Sequence, residues 1–313
     1  MRVIRDLNQA NIVSNGAAVT IGNFDGLHLG HQALINAVLA TAAEEDLLST
    51  LVSFEPLPRQ FFDRTTQVYR LQSTTEKLFQ LRQWGLDQTI LLRFNKALAQ
   101  LSAEDFIEQI LIAQLDTKVL FVGDDFRFGE GRRGDFDLLQ KFALNNEFSV
   151  HSLPPVCAAG VRVSSTRLRA ALEAGYMPLA ADFLGQPFSL SGRVVKGQQL
   201  GRKLGYPTAN IPMHNRPCPV AGVFAVIVET WEGAYPGVAS IGNRPAIGGT
   251  ELLLEAHLFD FSADLYGQRI KVNLIERIRA EEHFSSLDEL TEKMQQDELQ
   301  AIMALQKYQG LEV

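Results

Sequence analysis

One stretch decides how the N-terminal half of the chain folds: Val19-Thr20-Ile21-Gly22-Asn23-Phe24-Asp25-Gly26-Leu27-His28-Leu29-Gly30-His31. It starts as an apolar, β-rich run, passes through glycines and leads into a segment of helical period that begins at Gln32. Glycine lets the backbone approach a ligand closely, and the start of a helix offers unpaired N–H groups and a positive dipole end to an anion. The pattern therefore predicts a strand, a turn and a helix whose start binds phosphate.

The sequence around this stretch alternates between two periods. Short β-rich apolar runs occur at residues 18–21, 47–54, 89–94, 119–122 and 148–153, and helical periods occur at residues 32–43, 75–84 and 103–114. Ser102 and Asp105 have capping-box spacing, which favours a helix start there. The alternation predicts a parallel sheet with crossover helices, which binds ligands at the carboxyl ends of its strands.

The C-terminal half has a different pattern of predicted secondary structure. Strand-like runs at residues 188–195, 223–229, 236–241, 252–259 and 270–275 follow one another without intervening helices, which predicts an antiparallel barrel. Ser286 and Glu289 predict the start of a final helix, whose apolar side is expected to carry Leu290, Met294, Ile302 and Leu305. We place the domain boundary within residues 178–187, giving domains 1–186 and 187–313.

Composition excludes several classes of protein. The chain has 313 residues, 46% hydrophobic content and a net charge of −7, so it buries an ordinary core and favours small substrates over nucleic acid. It has no apolar run long enough for a membrane span and no signal-like start, which predicts a cytoplasmic protein without a membrane partner. Cys157 and Cys218 lack the spacing of a disulfide framework or zinc cluster. A monomer is the default expectation.

His28 and His31 are the first candidate catalytic residues. Three positions apart on a helical turn, both can face one anion, donate hydrogen bonds to a triphosphate and strengthen them as charge moves onto a leaving pyrophosphate. The alternative is a tight turn whose histidines are structural.

Two later segments carry further candidates. Residues 161–169 place Ser164, Ser165 and Thr166 at a helix start before Arg167, where hydroxyls cap the helix or bind phosphate. Residues 121–129 combine aromatic and charged side chains; Phe126 and Phe128 serve a pocket or the core equally well.

In the C-terminal half, residues 201–211 combine a glycine loop with Thr208 and Asn210, which an extended backbone places on one face. Such hard oxygen donors suit Mg²⁺ shared with ATP phosphates, although a plain turn and strand has the same composition. Glu255 lies in the apolar run 252–259, where burial would raise its pKa and suit it to take a proton from a hydroxyl. Arg279 is either a pocket residue or a partner of Glu281 or Glu282.

These motifs resemble, in order and over nearly the whole chain, those of the bacterial bifunctional riboflavin kinase/FAD synthetase family. Residues 22–31 resemble the HxGH signature, residues 164–169 the SSTxxR pattern, residues 123–129 the GxDFRFG segment, and residues 201–210 the GxxLGxPTAN signature. Residues 264–267 and 278–284 are similar to the DLYG and IRxExxF segments. The resemblance implies an α/β plus β-barrel protein, with an N-terminal Rossmann-like nucleotidyltransferase domain and a C-terminal riboflavin kinase barrel with a terminal helix.

The resemblance also implies residue roles. Catalytic residues are Glu255, His28, His31 and Arg167. Nucleotide binding in the adenylyltransferase falls to Gly22, Asn23, Phe24, Asp25, Gly26, Gly30, Ser164, Ser165 and Thr166, and the FMN pocket to Asp125 and Arg127. Kinase ATP and flavin binding falls to Gly201, Lys203, Gly205, Pro207, Thr208, Asn210 and Arg279, with Mg²⁺ at Thr208 and Asn210. Leu57 stands where many members of the family have histidine, so that role is not transferred.

The implied function is phosphorylation of riboflavin to FMN with ATP, followed by transfer of AMP from a second ATP to FMN, giving FAD and pyrophosphate. One rival is an RNA-binding protein, which the acidic pI near 5.5 disfavours. Another is a flavin-binding regulator without catalysis, against which the presence of Glu255, His28 and His31 speaks.

Overall fold

The computed structural model describes residues 1–5, 16–63, 69–197, 205–213, 218–246 and 249–308. The chain divides into two compact units, Met1–Val68 with Gln72–Val163, and Tyr69–Leu71 with Ser164–Val313. The short segment Tyr69–Leu71 joins the second unit because Arg169 Nε donates to the Tyr69 carbonyl at 2.8 Å.

The first unit is built on a parallel sheet, as the alternating sequence predicted. Its described strands are β1 (Arg2–Ile4), β2 (Ala17–Ile21), β3 (Leu48–Glu55), β4 (Gln88–Arg93), β5 (Thr117–Gly123) and β6 (Ser149–Leu153). They lie in the order β1-β4-β3-β2-β5-β6, and each neighbouring pair is parallel. The order reverses at β2, so the crevice between the carboxyl ends of β2 and β5 is a topological switch point.

Helices cover both faces of this sheet. They are α1 (Leu29–Glu45), α2 (Pro58–Phe62), α3 (Thr74–Gln83), α4 (Lys96–Ala99), α5 (Ala103–Asp105) and α6 (Phe136–Asn145). The predicted helix at 103–114 is present, but from Phe106 to Ile112 it is a π-helix. A hairpin of β7 (Cys157–Ala158) and β8 (Val161–Arg162) ends the unit. Every residue of β2 is buried, because helices pack on both of its faces.

The second unit is an antiparallel barrel, as predicted. Its described strands are β9 (Phe188–Arg193), β10 (Ala209–Pro212), β11 (Gly222–Glu229), β12 (Ala234–Ala246), β13 (Gly249–Leu258) and β14 (Arg269–Arg279), in the order β10-β13-β12-β11-β14-β9. The two outer strands approach each other, since Val195 N donates to the Asn210 carbonyl at 2.9 Å just beyond β9. The barrel is therefore nearly closed.

Three described helices accompany the barrel: α7 (Ser165–Glu173), α8 (Met177–Leu184) and α9 (Leu287–Tyr308). Helix α8 packs against β9 and β14, and it occupies much of the segment where the sequence suggested a domain boundary. Pro178 is tolerated there because it lies in the first turn of the helix. The boundary at 186/187 stays a prediction; by contacts, the second unit already includes α7 and α8.

Helix α9 begins as predicted, with Ser286 Oγ accepting from the Glu289 amide at 3.2 Å. Its buried side agrees with the predicted one at Leu305, which is buried, and at Leu290 and Met294, which are partly buried; Ile302 was predicted wrongly. Ala301 and Leu305 pack against the barrel, whereas Ile302 is 36% exposed. The polar residue on the buried side is Asp297, which pairs with the barrel residue Arg279.

Candidate active sites

The glycine-rich turn lies at the switch point of the first unit, between β2 and α1. Phe24 and Leu27 have left-handed φ angles of 46° and 45°, although their side chains are fully buried. Such angles strain non-glycine residues, and burial of both side chains in the apolar cluster holds them there. Gly26 has a φ of 89°, a conformation that favours glycine.

The structure brings the two predicted histidines together at the start of α1. Their rings stack with centroids 3.6 Å apart and an interplanar angle of 13°. His28 is the N-cap of α1, and its Nδ1 accepts from the His31 amide at 3.3 Å. Gly30 permits this packing, because a Cβ there would lie 3.3 Å from the His28 ring. The predicted residues Gly22, Asn23, Asp25 and Gly26 belong to the same turn.

His31 is held in its neutral form. Burial, the neighbouring His28 ring and the positive charge of Lys77 together lower its pKa well below 6.5. In the part of the chain that the structure describes, its buried Nδ1 has no hydrogen-bond partner. An arriving anion would favour the protonated ring, so this imidazole is suited to respond to a polyphosphate.

Sequence reasoning missed Lys77, which lies beneath the turn. This lysine on α3 is only 4% exposed, and its Nζ donates to the Asn23 carbonyl and to Ser53 Oγ, both at 3.0 Å. Leu81, one helical turn later, is also buried. The only signal in the sequence is that spacing, which places Lys77 on the buried side of the helix.

The segment after β5 holds the predicted FMN-pocket residues Asp125 and Arg127. Arg127 Nη1 pairs with Asp135 at 3.0 Å, and the Asp125 side chain is 81% exposed, 3.4 Å from Arg162 Nη2. The sequence did not reveal that Arg162 also binds both carboxylate oxygens of Asp124, at 2.6 and 2.9 Å. This bidentate pair ties the β7–β8 hairpin to the end of β5.

The aromatic residues of the same segment belong to the core. Phe128 is 8% exposed and packs against Phe106, and Phe126 stacks on Phe128 with centroids 5.4 Å apart. Of the two alternatives left open by the sequence, the structure favours packing. Leu57, for which no catalytic role was predicted, is likewise buried at 5% exposure.

The hydroxyl cluster opens the second unit. Ser164 is the N-cap of α7, and its Oγ accepts from the Arg167 amide at 3.3 Å. Thr166 and Arg167 are exposed, and Ser165 is half-buried. Capping therefore accounts for Ser164, while phosphate binding by Ser164, Ser165, Thr166 and Arg167 stays a prediction.

In the barrel, the predicted residues Asn210 and Glu255 lie directly opposite each other in β10 and β13. Ser240 of β12 occupies the matching position on the other side of Glu255. Directly opposed residues point to the same face of a sheet, so the three form a polar row. The apolar neighbours of Glu255 in sequence, Leu254 and Ala256, are fully buried on the other face.

One member of this row, Asn210, lines a cavity of about 460 Å³, whereas Glu255 and Ser240 are not among the described lining residues. Thr208 and Asn210 line it, together with a segment after β13 that includes Phe261, Asp264 and Tyr266. The Asn210 amide donates to the Thr208 carbonyl at 3.2 Å and to Thr208 Oγ1 at 3.3 Å. Gly197, another lining residue, passes directly over the amide, where an added Cβ would lie 2.5 Å from Asn210 Oδ1.

The loop before Thr208 is held by two contacts from elsewhere in the unit. His257 Nδ1 bonds to the Pro207 carbonyl at 2.8 Å, and Tyr206 donates its hydroxyl to Glu298 at 3.1 Å. Gly205 is exposed with a φ of 89°. Gly201 and Lys203, both predicted to bind ATP, lie outside the described residues.

Arg279 forms ion pairs with acidic residues. Its Nε and Nη2 bind both oxygens of Asp297 at 2.8 and 2.7 Å, and its Nη1 is 3.8 Å from Glu282. The sequence left a pairing with Glu281 or Glu282 open as the alternative to a pocket role, and it missed Asp297. Arg279 does not line the cavity described above, so a role in flavin binding stays a prediction.

The donor set of the polar face fits a magnesium ion. Among the described residues, no group of three histidine, cysteine or acidic side chains could hold a metal ion. Thr208 and Asn210 supply one hydroxyl and one amide oxygen beside an open cavity, which leaves coordination positions for water and phosphate. Mg²⁺ commonly binds in this way, with few protein ligands.

A parallel sheet with a histidine-bearing turn at its switch point, joined to a six-stranded antiparallel barrel, defines a class of two-domain transferases. A family model for FAD synthetase matches residues 11–167, and one for riboflavin kinase matches residues 184–305. The chain is 44% identical to the bifunctional riboflavin kinase/FMN adenylyltransferase of Escherichia coli K12, over 96% of this chain and 97% of that protein. It therefore belongs to the bifunctional riboflavin kinase/FMN adenylyltransferase family.

A second relative and a solved structure are also similar to this chain over nearly its whole length. The Haemophilus influenzae protein of the same name is 41% identical, over 95% of this chain and 97% of that protein. A solved structure described as a macrolide-efflux protein from Streptococcus pneumoniae is 30% identical, with a TM-score of 0.81 over 95% of this chain and 96% of that one. Within the described ranges, no helix has the length and apolar character needed to cross a bilayer.

Proposed function

We propose that this chain phosphorylates riboflavin to FMN in its barrel unit and adenylylates FMN to FAD with the histidine turn of its parallel-sheet unit, using ATP in both steps. The observation that supports the first half is the polar row of Asn210, Glu255 and Ser240, of which Asn210 also lines the cavity. The stacked histidines at the switch point carry the second half.

In the kinase step, Glu255 takes the proton from the riboflavin 5′-hydroxyl as that oxygen attacks the γ-phosphorus of ATP. A P–O bond forms to the flavin, and the bond to the β-phosphate oxygen breaks to release ADP. Thr208 and Asn210 orient the phosphates and would hold Mg²⁺, which when bound neutralises phosphate charge. Positioning and charge neutralisation supply most of the rate in such transfers.

In the adenylyl step, a phosphate oxygen of FMN attacks the α-phosphorus of a second ATP, and pyrophosphate leaves. His28 and His31 donate hydrogen bonds where negative charge develops, which stabilises the transition state without a covalent intermediate. Ser164, Ser165, Thr166 and Arg167 hold the outer phosphates, and Asp125 and Arg127 contribute to the FMN pocket. Both reactions consume ATP, which is consistent with a cytoplasmic enzyme.

The decisive experiment incubates the purified chain with riboflavin, ATP and Mg²⁺ and separates the flavins over time. FMN should form first and FAD afterwards, and FMN supplied alone should give FAD. Asn210→Ala should abolish FMN formation while preserving adenylylation of supplied FMN, and His28→Ala should stop the reaction at FMN. Absence of both products would reject the proposal and favour a flavin-binding regulator.

A further inference from the structure

A buried lysine lies beneath the histidine turn and hydrogen-bonds to its backbone. Lys77 reaches from α3 to the backbone of the turn itself, where its Nζ donates to the Asn23 carbonyl at 3.0 Å. Ser53 Oγ donates to the same carbonyl at 3.0 Å and also accepts from Lys77 Nζ. Asn23, Ser53 and Lys77 thus form a closed triangle of hydrogen bonds, in which two members are at least 96% buried.

This triangle fixes a strained part of the chain. Asn23 immediately precedes Phe24, whose left-handed φ of 46° costs free energy that surrounding contacts must offset. Hydrogen bonds from a charged donor are stronger than neutral ones, particularly where water is excluded. Lys77 therefore anchors the turn one residue before its first strained position.

The same lysine acts electrostatically on His31. The His31 ring contacts the His28 and Phe24 rings, Lys77 of α3 acts on it electrostatically, and the buried Asp25 lies in the same turn. A positive charge at Lys77 disfavours a second positive charge on the His31 ring. A bound triphosphate brings several negative charges, which would favour protonation of the His31 ring.

We propose that Lys77 is a positioning residue of the adenylyl-transfer site, which fixes the histidine turn through its hydrogen bonds to the Asn23 carbonyl and to Ser53. The inference rests on the proposed adenylyltransferase function. Lys77 itself touches neither nucleotide nor flavin in this account, because its Nζ is directed at protein atoms.

The test uses the full-length chain and measures both half-reactions in one preparation. Lys77→Met should lower kcat for adenylylation of supplied FMN by roughly 10- to 100-fold, as expected when a reacting group is misplaced. Riboflavin phosphorylation should be unchanged. Lys141→Met, which removes an exposed lysine of the same unit, is the matched control and should leave both rates unchanged.

A second measurement separates positioning from general stability. Histidine side-chain NMR follows the titration of His31, identified among the six histidines by its absence from His31→Gln. Lys77→Met should raise the His31 titration midpoint, and Lys77→Arg, which keeps the charge, should not. Lys77→Arg should also recover part of the lost kcat.

The outcomes are distinguishable. Unchanged adenylylation and an unchanged His31 midpoint in folded Lys77→Met would overturn the inference, and so would equal loss of both activities. If Lys77→Met does not fold, Ser53→Ala decides: it removes one side of the triangle and should lower adenylylation several-fold without affecting the kinase, and no change overturns the inference. A wild-type chain that makes no FAD from FMN would instead reject the proposed function.

Discussion

Asn210 and Glu255 are directly opposed residues of two antiparallel strands, so one register places an amide and a carboxylate side by side on the polar face of the barrel. The pairing ties the proposed base to the residue that would orient phosphate. A change at either position should therefore affect the kinase reaction and leave the separate α/β unit untouched.

Glu255→Gln keeps the shape of the side chain and removes the proton acceptor. We expect riboflavin phosphorylation to fall by about 10²–10⁴ in kcat with little change in riboflavin or ATP affinity, because general-base catalysis acts in the transition state. Steady-state kinetics and riboflavin binding on one folded preparation measure both. FMN adenylylation serves as the internal control. Kinase turnover near that of the wild type would reject Glu255 as the base, whereas lost binding with normal turnover would make it a flavin ligand.

Gly197→Ala tests the geometry of the Asn210 amide, which we propose orients phosphate. The new Cβ would lie 2.5 Å from Asn210 Oδ1, so the amide must move away from its place beside Thr208. We expect a loss of kinase turnover of about tenfold or more, since small displacements of positioning groups are costly. Adenylylation of supplied FMN should stay normal. If the kinase of Gly197→Ala matches the wild type, the Asn210 amide is not needed in this position.

The sequence predicted the strands well because their signal is local. Buried parallel strands such as β2 read as continuous apolar runs, and the barrel strands are separated by glycine, proline and asparagine. Glu255 shows the limit of that signal. Its apolar neighbours suggested an apolar environment, but pairing with Asn210 and Ser240 gives it polar neighbours across the sheet.

The contacts of the buried charged residues were not predictable, because the residues in contact are far apart in sequence. Lys77 contacts Asn23 across 54 positions of sequence, and Arg279 contacts Asp297 across 18. A lone lysine or aspartate in a helical segment ordinarily faces solvent, so only the tertiary fold identifies these pairs.

The neutral His31 makes the stability of the first unit depend on pH. Its folded pKa lies well below 6.5, the ordinary value expected in the unfolded chain, so between those values the unfolded state binds more protons. The free energy of unfolding should therefore fall as pH decreases below about 6.5. Chemical unfolding from pH 5 to 8, roughly the range in which histidine titrates, should show this slope in the wild type and a smaller one in His31→Asn. The same slope in both proteins would contradict the assignment; His151→Asn, at an exposed position, is the control.

The Arg279–Asp297 pair should stabilise the packing of α9 on the barrel. Their side chains are 14% and 6% exposed, and removal of one partner from a buried pair typically costs about 3–5 kcal/mol. We expect Asp297→Ala to lower the unfolding midpoint of the second unit more than the double variant Arg279→Met with Asp297→Leu. Calorimetry measures this. Normal riboflavin affinity in the double variant would also remove Arg279 from the candidate flavin residues.

A fragment of residues 164–313 should be more stable than one of residues 187–313. Helix α8 packs on β9 and β14, and Met177, Ala180 and Phe183 are almost fully buried, so the shorter fragment loses this cover. Thermal unfolding of the two fragments measures the difference. Equal midpoints would support the boundary predicted at 186/187.

The alternation along β13 has an evolutionary consequence. Leu254, Ala256 and Leu258 point into the barrel and Glu255 points out, so inserting or deleting one residue before Glu255 within the strand would exchange the two faces. The carboxylate would enter the apolar interior and leucines would meet solvent. Length changes inside this strand are therefore tolerable only in pairs, and a lineage that keeps the barrel foldable keeps its carboxylate on the face that carries Asn210 and Ser240, without any separate selection for direction.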